Sequence, residues 1–285
     1  MSYKELLKEI TEKLKATNVP EAESAAWRLF EGITGFDRAA LFMKGNEEVT
    51  DASMIEKARK WTEERLTGCP VQYIIGYQEF CGLTFEVGRD TLIPRFDTEL
   101  LAEKVMELAS GKKVLDMCTG TGCILISVAR MADTKTAVGC DISEGAVRLA
   151  QRNAVRNGVS EKTEFFTGDL FDALKNTKYE NEKFDIIVSN PPYIRSEVIE
   201  TLSPTVRDFE PRAALDGTED GLWFYERITT GATYSLASDG ILAYEIGYDQ
   251  GADVKRIMSD KGFKDISIIK DYAGLDRIVI GRKDN

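Results

Sequence analysis

The feature that most constrains the fold is a strict alternation of short apolar segments with helix-type segments between residues 112 and 193. Short apolar runs of four or five residues are typical of buried strands, and longer segments with a period near 3.6 are typical of helices. The predicted strands are Val114–Met117, Ala137–Cys140, Thr163–Phe166 and Phe184–Val188, and the helices between them are Cys123–Met131 and Ser143–Asn157. Strands joined through helices lie parallel in one sheet, so the sequence predicts an α/β fold.

A loop of small residues, Cys118-Thr119-Gly120-Thr121-Gly122, joins the first of these strands to its helix. The next strand ends at Asp141, about twenty residues further on, where nucleotide-binding folds place an acid for ribose hydroxyls. Leu125 stands where a dinucleotide fingerprint has its third glycine. That glycine permits close packing beside a pyrophosphate, so NAD and FAD are disfavoured and an adenosyl ligand is favoured. An ordinary strand–helix turn is the alternative.

The stretch Asn190-Pro191-Pro192-Tyr193 follows the apolar run that ends at Val188. Ligands of open α/β sheets bind at the carboxyl ends of strands. The prolines stiffen the backbone, Asn190 supplies an amide acceptor and donor, and Tyr193 supplies a flat ring. This loop is interpreted as a holder for a planar amine or amide.

Other positions carry weaker signals. Asp169, after a predicted strand, is a candidate acceptor for an adenine amino group, and Leu170 a candidate to pack on its ring, with a surface turn as the alternative. Trp223 and Phe224 are expected in the core. Arg95 and Glu99 are expected to form a surface pair.

Composition excludes several kinds of chemistry. The 285 residues include no histidine, which removes Ser-His-Asp catalysis and histidine-ligated zinc, and no metal site is expected. Five cysteines without a Cys-x-x-Cys pair favour the cytoplasm. No apolar run has the length of a membrane span, so no membrane partner is expected. A formal net charge of −11 disfavours direct binding of nucleic acid, which depends on Lys and Arg.

The N-terminal part has a different pattern. Residues 1–70 have helical periodicity, with Ser2 and Glu5 at capping-box spacing, and are predicted to form a small all-α domain. Residues 71–95, including Tyr73-Ile74-Ile75, are predicted to form a β-hairpin linker, and residues 96–285 the α/β domain. From the residues alone, the helical domain is either a structural cap or a platform for a macromolecular partner.

The order of these motifs resembles the seven-strand, S-adenosylmethionine-dependent methyltransferases, in which Asn-Pro-Pro-Tyr marks enzymes that methylate a planar nitrogen. The flanking motifs are similar to those of the peptide chain release factor glutamine N(5)-methyltransferases over nearly the whole chain. They are Pro70-x-Gln72-Tyr73-Ile74, Leu92-Ile93-Pro94-Arg95, Thr98-Glu99, Asp220-Gly221-Leu222, Tyr225, Glu245-Ile246-Gly247, Gln250 and Gly274-x-Asp276-Arg277.

The resemblance implies a seven-stranded, Rossmann-like class I methyltransferase domain with a small N-terminal helical domain that docks the substrate protein. It implies that Cys118 to Gly122, Asp141, Asp169, Leu170 and Asn190 bind the cofactor, and that Asn190 to Tyr193 hold the substrate, with Asn190 and Tyr193 catalytic. The chain departs from the family at Cys118, where glycine is usual, at Leu170, where tryptophan is frequent, and at Phe96, where proline is usual.

The expected activity is direct in-line transfer of a methyl group from S-adenosylmethionine, leaving S-adenosylhomocysteine. The acceptor would be the side-chain nitrogen of the glutamine in the Gly-Gly-Gln motif of class I peptide chain release factors. A DNA adenine or RNA guanine N-methyltransferase is the alternative, since the same loop suits an extruded base. A non-catalytic S-adenosylmethionine-binding protein is a third possibility, which the intact Asn190-Pro191-Pro192-Tyr193 stretch disfavours.

Overall fold

The computed structural model describes residues 1–284, and the chain divides into two compact units. The N-terminal unit consists of Met1–Tyr77 and Ser203–Phe209, and the larger unit of Gln78–Leu202 and the residues from Glu210 onward. Within residues 1–284, no helix has both the length and the apolar character required to cross a membrane.

The N-terminal unit is built from helices whose apolar faces form one core. Its helices are α1 (Tyr3–Ala16), α2 (Ala22–Thr34), α3 (Arg38–Lys44), α4 (Ala52–Leu66), α5 (Val71–Ile75) and the short α10 (Pro204–Arg207). The predicted capping box is present, because the Ser2 hydroxyl accepts from the Glu5 N–H and the Glu5 carboxylate accepts from the Ser2 N–H. Leu6, Ile10 and Leu14 then bury one face of α1.

The prediction of a strand at Tyr73-Ile74-Ile75 is wrong, because Val71–Ile75 forms helix α5. Pro70 precedes the helix, where its missing N–H costs nothing, and Gly76 ends it at φ +86°. Ile74 is buried in the core of this unit. β-branched residues predicted a strand, but two flanking helix signals and a buried position override that preference.

The larger unit begins with a hairpin and continues as alternating strands and helices. Its strands are β1 (Tyr77–Phe80), β2 (Leu83–Glu86), β3 (Lys113–Met117), β4 (Thr136–Asp141), β5 (Thr163–Thr167), β6 (Phe184–Ser189), β7 (Leu236–Glu245), β8 (Phe263–Lys270) and β9 (Asp276–Lys283). Its helices are α6 (Phe96–Met106), α7 (Cys123–Met131), α8 (Glu144–Arg156), α9 (Ser196–Ile199), α11 (Trp223–Ser235) and α12 (Gly251–Asp260), with 3-10 turns at Leu170–Leu174 and Arg212–Ala214.

Seven of these strands form one sheet in the order β5-β4-β3-β6-β7-β9-β8. The strands from β5 to β7 are parallel, and β9 is antiparallel to both β7 and β8. The predicted seven-stranded α/β fold is therefore confirmed. The strand order reverses between β3 and β6, and such a switch point opens a crevice at the carboxyl ends of the two strands.

Both faces of the sheet are covered, which explains the continuous apolar runs of its central strands. Along β6, Ile186 and Val188 pack into one core with α6, α7 and α8. Ile187 packs into the opposite core with α11 and α12. Alternate residues of a strand point to opposite faces, so a central strand needs apolar residues at every position.

Candidate active site

A cavity of about 470 Å³ lies in the larger unit at the switch point between β3 and β6. Its size is that of a pocket for a small molecule. Its walls include many of the residues predicted from the sequence, namely Cys118, Thr119, Gly120, Thr121, Asp141, Asp169, Leu170, Asn190 and Pro192. Motifs separated by about seventy residues therefore meet at one edge of the sheet because β3 and β6 are hydrogen-bonded neighbours.

Three predicted site residues are not walls of this cavity. Gly122 lies at the N-terminus of α7, Pro191 is buried, and Tyr193 is half-buried with its hydroxyl directed to Glu245. The predicted contribution of the Tyr193 ring to holding a planar amine or amide stays a prediction.

The loop after β3 has an unusual backbone. Cys118, Gly120 and Gly122 all lie in the left-handed region, at φ +60°, +55° and +78°. A Cβ atom at Gly122 would also stand 2.8 Å from the Cδ1 atom of Ile126. Cys118 thus adopts the turn that glycine favours, at the cost of backbone strain. The departure from glycine leaves the turn itself intact.

Asp141 ends β4 and holds the same loop. Its Oδ2 atom accepts from the Gly120 N–H at 2.9 Å, and its Oδ1 atom accepts from the Ser143 N–H at 2.9 Å. Burial raises the pKa of this carboxyl, and the backbone hydrogen bonds oppose that rise. A carboxylate offers about four lone-pair sites, more than these backbone bonds use, so Asp141 has capacity to accept from a ligand hydroxyl.

Asp169 lies in the cavity wall but is engaged by a partner that the sequence did not reveal. Arg227 of α11 donates to both of its carboxylate oxygens, at 3.0 and 2.8 Å. The same guanidinium lies 4.5 Å from the ring centroid of Trp223. Trp223 and Phe224 line the cavity, and Trp223 is 41% exposed, so the prediction that Trp223 belongs to the core is wrong.

The segment before α6 supplies walls that were not predicted as site residues. Arg95 is ion-paired with Glu210, whose other oxygen accepts from the Ile93 N–H at 3.1 Å. Glu99 instead accepts from the Cys81 N–H, so the expected surface pair of Arg95 and Glu99 is wrong. The wall residues from this segment are Arg89, Asp90, Thr91, Leu92, Pro94 and Arg95, and Thr98 in the first turn of α6 adds one more.

The carboxyl end of β6 is tied to neighbouring elements. The Asn190 side-chain N–H donates to the Thr98 hydroxyl at 3.2 Å, and the Tyr193 hydroxyl donates to Glu245 at 3.4 Å. Gln250 donates to the Tyr193 carbonyl at 3.1 Å. Asn190 lines the cavity, and its Oδ1 atom has no donor among the described residues, so it is available to accept a hydrogen bond from a ligand.

Comparison with protein families gives two matches along the chain. Residues 95–209 match the model described as Methyltransferase small domain. Residues 5–76 match the model described as PrmC N-terminal domain.

Curated relatives match over almost the full length. The release factor glutamine methyltransferase of Agrobacterium fabrum is 37% identical, with 95% of this chain and 94% of the relative covered. The protein of the same name from Clostridium acetobutylicum is 38% identical, with 98% of each chain covered. Among solved structures, the T. thermophilus 16S rRNA N2 G1207 methyltransferase in complex with AdoMet and guanosine has a TM-score of 0.50 and 19% identity. That likeness covers 73% of this chain and 49% of the other, and it concerns the fold alone.

Asp116 on β3 gives a test of the electrostatics beneath the site. It is fully buried and accepts from the Thr119 hydroxyl at 2.6 Å, and burial raises its pKa to about 7. Its ordinary pKa is about 3.9. The folded state therefore binds this proton more tightly than the unfolded chain. The resulting stabilisation is complete below about pH 4 and is lost as the pH rises through about 7.

We expect Asp116→Asn to raise the melting temperature relative to the parent chain at pH 8, by at least about 2 °C. The gain should be smaller at pH 5, because the parent carboxyl is then mostly protonated, and the amide oxygen still accepts from Thr119. Differential scanning calorimetry from pH 5 to 8 measures this, with exposed Asp133→Asn as control. A constant difference across that range would contradict the assigned cause.

Proposed function

The chain belongs to the release factor glutamine methyltransferases, and from this premise we propose its reaction, cofactor and substrate. It transfers a methyl group from S-adenosylmethionine to the side-chain amide nitrogen of a glutamine. That glutamine is the one in the Gly-Gly-Gln motif of class I peptide chain release factors. The observation that carries the proposal is the meeting of the loop after β3 and the Asn190-Pro191-Pro192-Tyr193 loop around one cavity.

The cavity walls suit an adenosyl ligand. Asp141 offers carboxylate lone pairs for ribose hydroxyls, and the left-handed turn at Gly120 lets a ligand approach the backbone closely. Leu170 and Trp223 offer apolar and aromatic surface for a planar base. When bound, S-adenosylmethionine supplies a methyl group activated by a positively charged sulfur.

Asn190, which lines the cavity, and the neighbouring Pro191, which is buried, are the proposed acceptors for the substrate amide. The Asn190 Oδ1 atom and the Pro191 carbonyl oxygen take the two N–H hydrogens, because an NH2 group offers two donors in one plane. The amide nitrogen is a poor nucleophile, since its lone pair is delocalised into the carbonyl. Holding both hydrogens orients that lone pair and disfavours the conjugation. Tyr193 is the last residue of the same loop, and its hydroxyl donates to Glu245, which fixes the position of its ring.

Positioning is the main catalytic contribution of these residues. A well-oriented pair of reactants lowers a barrier by about 7–11 kcal/mol relative to free reactants. Acceptors aimed at the charge that develops on nitrogen add an electrostatic contribution. No strong base is required before transfer, which agrees with a chain that contains no histidine. The nitrogen becomes strongly acidic once the N–CH3 bond forms and the S–CH3 bond breaks, and it then gives up one of its two N–H protons to water.

The N-terminal unit is proposed to dock the release factor. Helix α3 of that unit exposes two adjacent apolar side chains, Phe42 at 84% and Met43 at 72%. Exposed large apolar groups side by side are typical of protein-binding surfaces. We place the protein in the cytoplasm, because its cysteines are all free in the structure and a reducing compartment preserves thiols.

Transfer of a labelled methyl group tests the substrate and its position together. The full-length protein is incubated with methyl-labelled S-adenosylmethionine and a class I release factor. A matched release factor carries Gln→Ala in its Gly-Gly-Gln motif. We expect label in the first protein and none in the second. Label in both would show that the position is wrong, and label only when DNA or RNA is supplied would favour a nucleic-acid methyltransferase.

Asn190→Ala tests the acceptor role of the amide. We expect kcat to fall by about 10²-fold or more, because one preorganised hydrogen-bonding group is worth about 3–4 kcal/mol in a transition state. The dissociation constant of S-adenosylmethionine should change much less, as measured by isothermal titration calorimetry. Asn157→Ala, an amide distant from the cavity, serves as the control. Near-normal turnover in Asn190→Ala would refute the role.

Trp223 provides a direct optical signal of cofactor binding. The other two tryptophans, Trp27 and Trp61, belong to the N-terminal unit, so a Trp27→Phe/Trp61→Phe variant reports on Trp223 alone. We expect its fluorescence to change when S-adenosylhomocysteine binds. Trp223→Leu should weaken binding about tenfold, since stacking of a base on an aromatic ring contributes about 1–3 kcal/mol. Tyr234→Leu, an exposed aromatic on the same helix, should leave the affinity unchanged. Unaltered affinity in Trp223→Leu would contradict the assignment.

A further inference from the structure

Glu245 is a buried carboxyl beside the substrate loop that the reaction as described does not use. It ends β7, one residue beyond Tyr244, which pairs with Ser189 just before Asn190. Glu245 is 2% exposed, and within residues 1–284 its Oε2 atom has no hydrogen-bond partner. A buried charge without full pairing is costly, so its presence at this position needs a reason beyond packing.

Glu245 binds one end of the Asn190-Pro191-Pro192-Tyr193 loop, and Thr98, which influences the same carboxyl, binds the other end. Tyr193 donates its hydroxyl directly to the Oε1 atom of Glu245 at 3.4 Å. On the other side, Asn190 donates to the Thr98 hydroxyl oxygen at 3.2 Å. Thr98 is buried, and its hydroxyl lowers the pKa of the Glu245 carboxyl. The loop is thus held at its first residue by Thr98 and at its last residue by Glu245.

The direction of these hydrogen bonds follows from the single proton of each hydroxyl. A Thr98 hydroxyl that donates to a carboxylate turns its lone pairs towards the Asn190 N–H. Asn190 then keeps its nitrogen on Thr98 and its Oδ1 atom free for a substrate N–H. Burial raises the pKa of Tyr193, so the phenol stays protonated and remains a donor. A protonated Glu245 carboxyl would compete as a donor and disturb this order.

We propose that Glu245, in its carboxylate form, is the positioning residue that sets Asn190 and Tyr193 for methyl transfer. This inference rests on the proposed function of the same site. Glu245 does not itself line the cavity, and it acts through Thr98 and Tyr193.

The surroundings of Glu245 determine the pH at which the carboxylate forms. Burial raises its pKa to about 7, and Thr98, Arg277 and Tyr193 oppose that rise. Asp97 on α6 adds to the rise, and Arg277 pairs with Asp97 at 3.4 Å and with Asp271 at 3.0 Å. From α11, the Tyr225 hydroxyl donates to the Glu245 backbone oxygen at 3.0 Å. The proposal therefore predicts that turnover rises with pH up to about 7 and is level above it.

The test is the pH profile of kcat for methylation of a release factor by the full-length chain between pH 5.5 and 9. The parent enzyme should lose about tenfold in kcat per pH unit below the pKa, as expected for one essential ionisation. Glu245→Gln should lack this fall of kcat at low pH, called here the acidic limb of the profile. Its kcat should be at least tenfold below that of the parent at pH 8. Its dissociation constant for S-adenosylmethionine should remain within about twofold, because the cofactor walls are untouched.

Two further variants keep the test decisive. Asp116→Asn removes the other buried carboxyl whose pKa is raised to about 7, and it should retain the limb. Tyr193→Phe removes a hydrogen bond that favours the carboxylate, so its limb should move to higher pH. This shift remains measurable if Glu245→Gln does not fold.

Several outcomes would overturn the inference. The first is that Glu245→Gln keeps the acidic limb of the parent. The second is that Asp116→Asn loses that limb, and the third is that the limb of Tyr193→Phe is not shifted. If the parent enzyme methylates the release factor but these profiles disagree, the positioning role fails and the proposed function stands. If the parent transfers no methyl group to the release factor, the proposed function fails and this inference fails with it.

Discussion

The pairing of β3 with β6 is the constraint on which the site depends. These strands are neighbours although the chain runs through two further strands between them. The reversal of strand order at this pair opens a crevice, and each strand delivers its loop to the same edge. The loop after β3 has left-handed turns and suits a ligand that approaches the backbone. The loop after β6 is stiffened by two prolines and presents the side-chain amide of Asn190. A displacement of either strand by one residue would reverse the faces of Ile186, Ile187 and Val188 and expose apolar side chains, so the core holds the register of the site.

Buried carboxyl groups surround this edge without entering the chemistry directly. Asp116 holds Thr119, Asp141 holds Gly120, and Glu245 holds Tyr193. Burial raises the pKa of all three. For each carboxyl, hydrogen bonds from the residues that it holds oppose part of the rise in pKa that burial causes. The protonation state of these carboxyls is therefore linked to the positions of the site loops. In a chain without histidine, Asp116 and Glu245, whose pKa burial raises to about 7, are therefore the carboxyl groups expected to titrate near neutral pH.

The wrong predictions have a shared physical origin. Trp223 was expected in the core because an aromatic ring in a helical pattern is usually buried, and only the packing of α11 beside the 3-10 turn at Leu170–Leu174 turns it to the cavity. Arg95 and Glu99 have the spacing of a helical pair, but Arg95 precedes α6 and finds Glu210, which is over a hundred residues away. Val71–Ile75 has strand-type residues, and its flanking proline and glycine make it a helix. In each case a partner or a boundary overrode a local preference.

The sequence by itself determined the α/β architecture, the two loops and nine of the residues that line the cavity. Period, strand-end position and turn chemistry are local properties that short stretches encode. It also carried the family resemblance, which the full-length relatives bear out. Only the tertiary structure decided which side chains face the cavity and what holds them. Three of these contacts join residues that are far apart in the chain. They are the bidentate ion pair of Arg227 with Asp169, the ion pair of Arg95 with Glu210, and the hydrogen bond from Tyr193 to Glu245. Such contacts follow from how helices pack on a sheet, and no spacing within a single sequence records that packing.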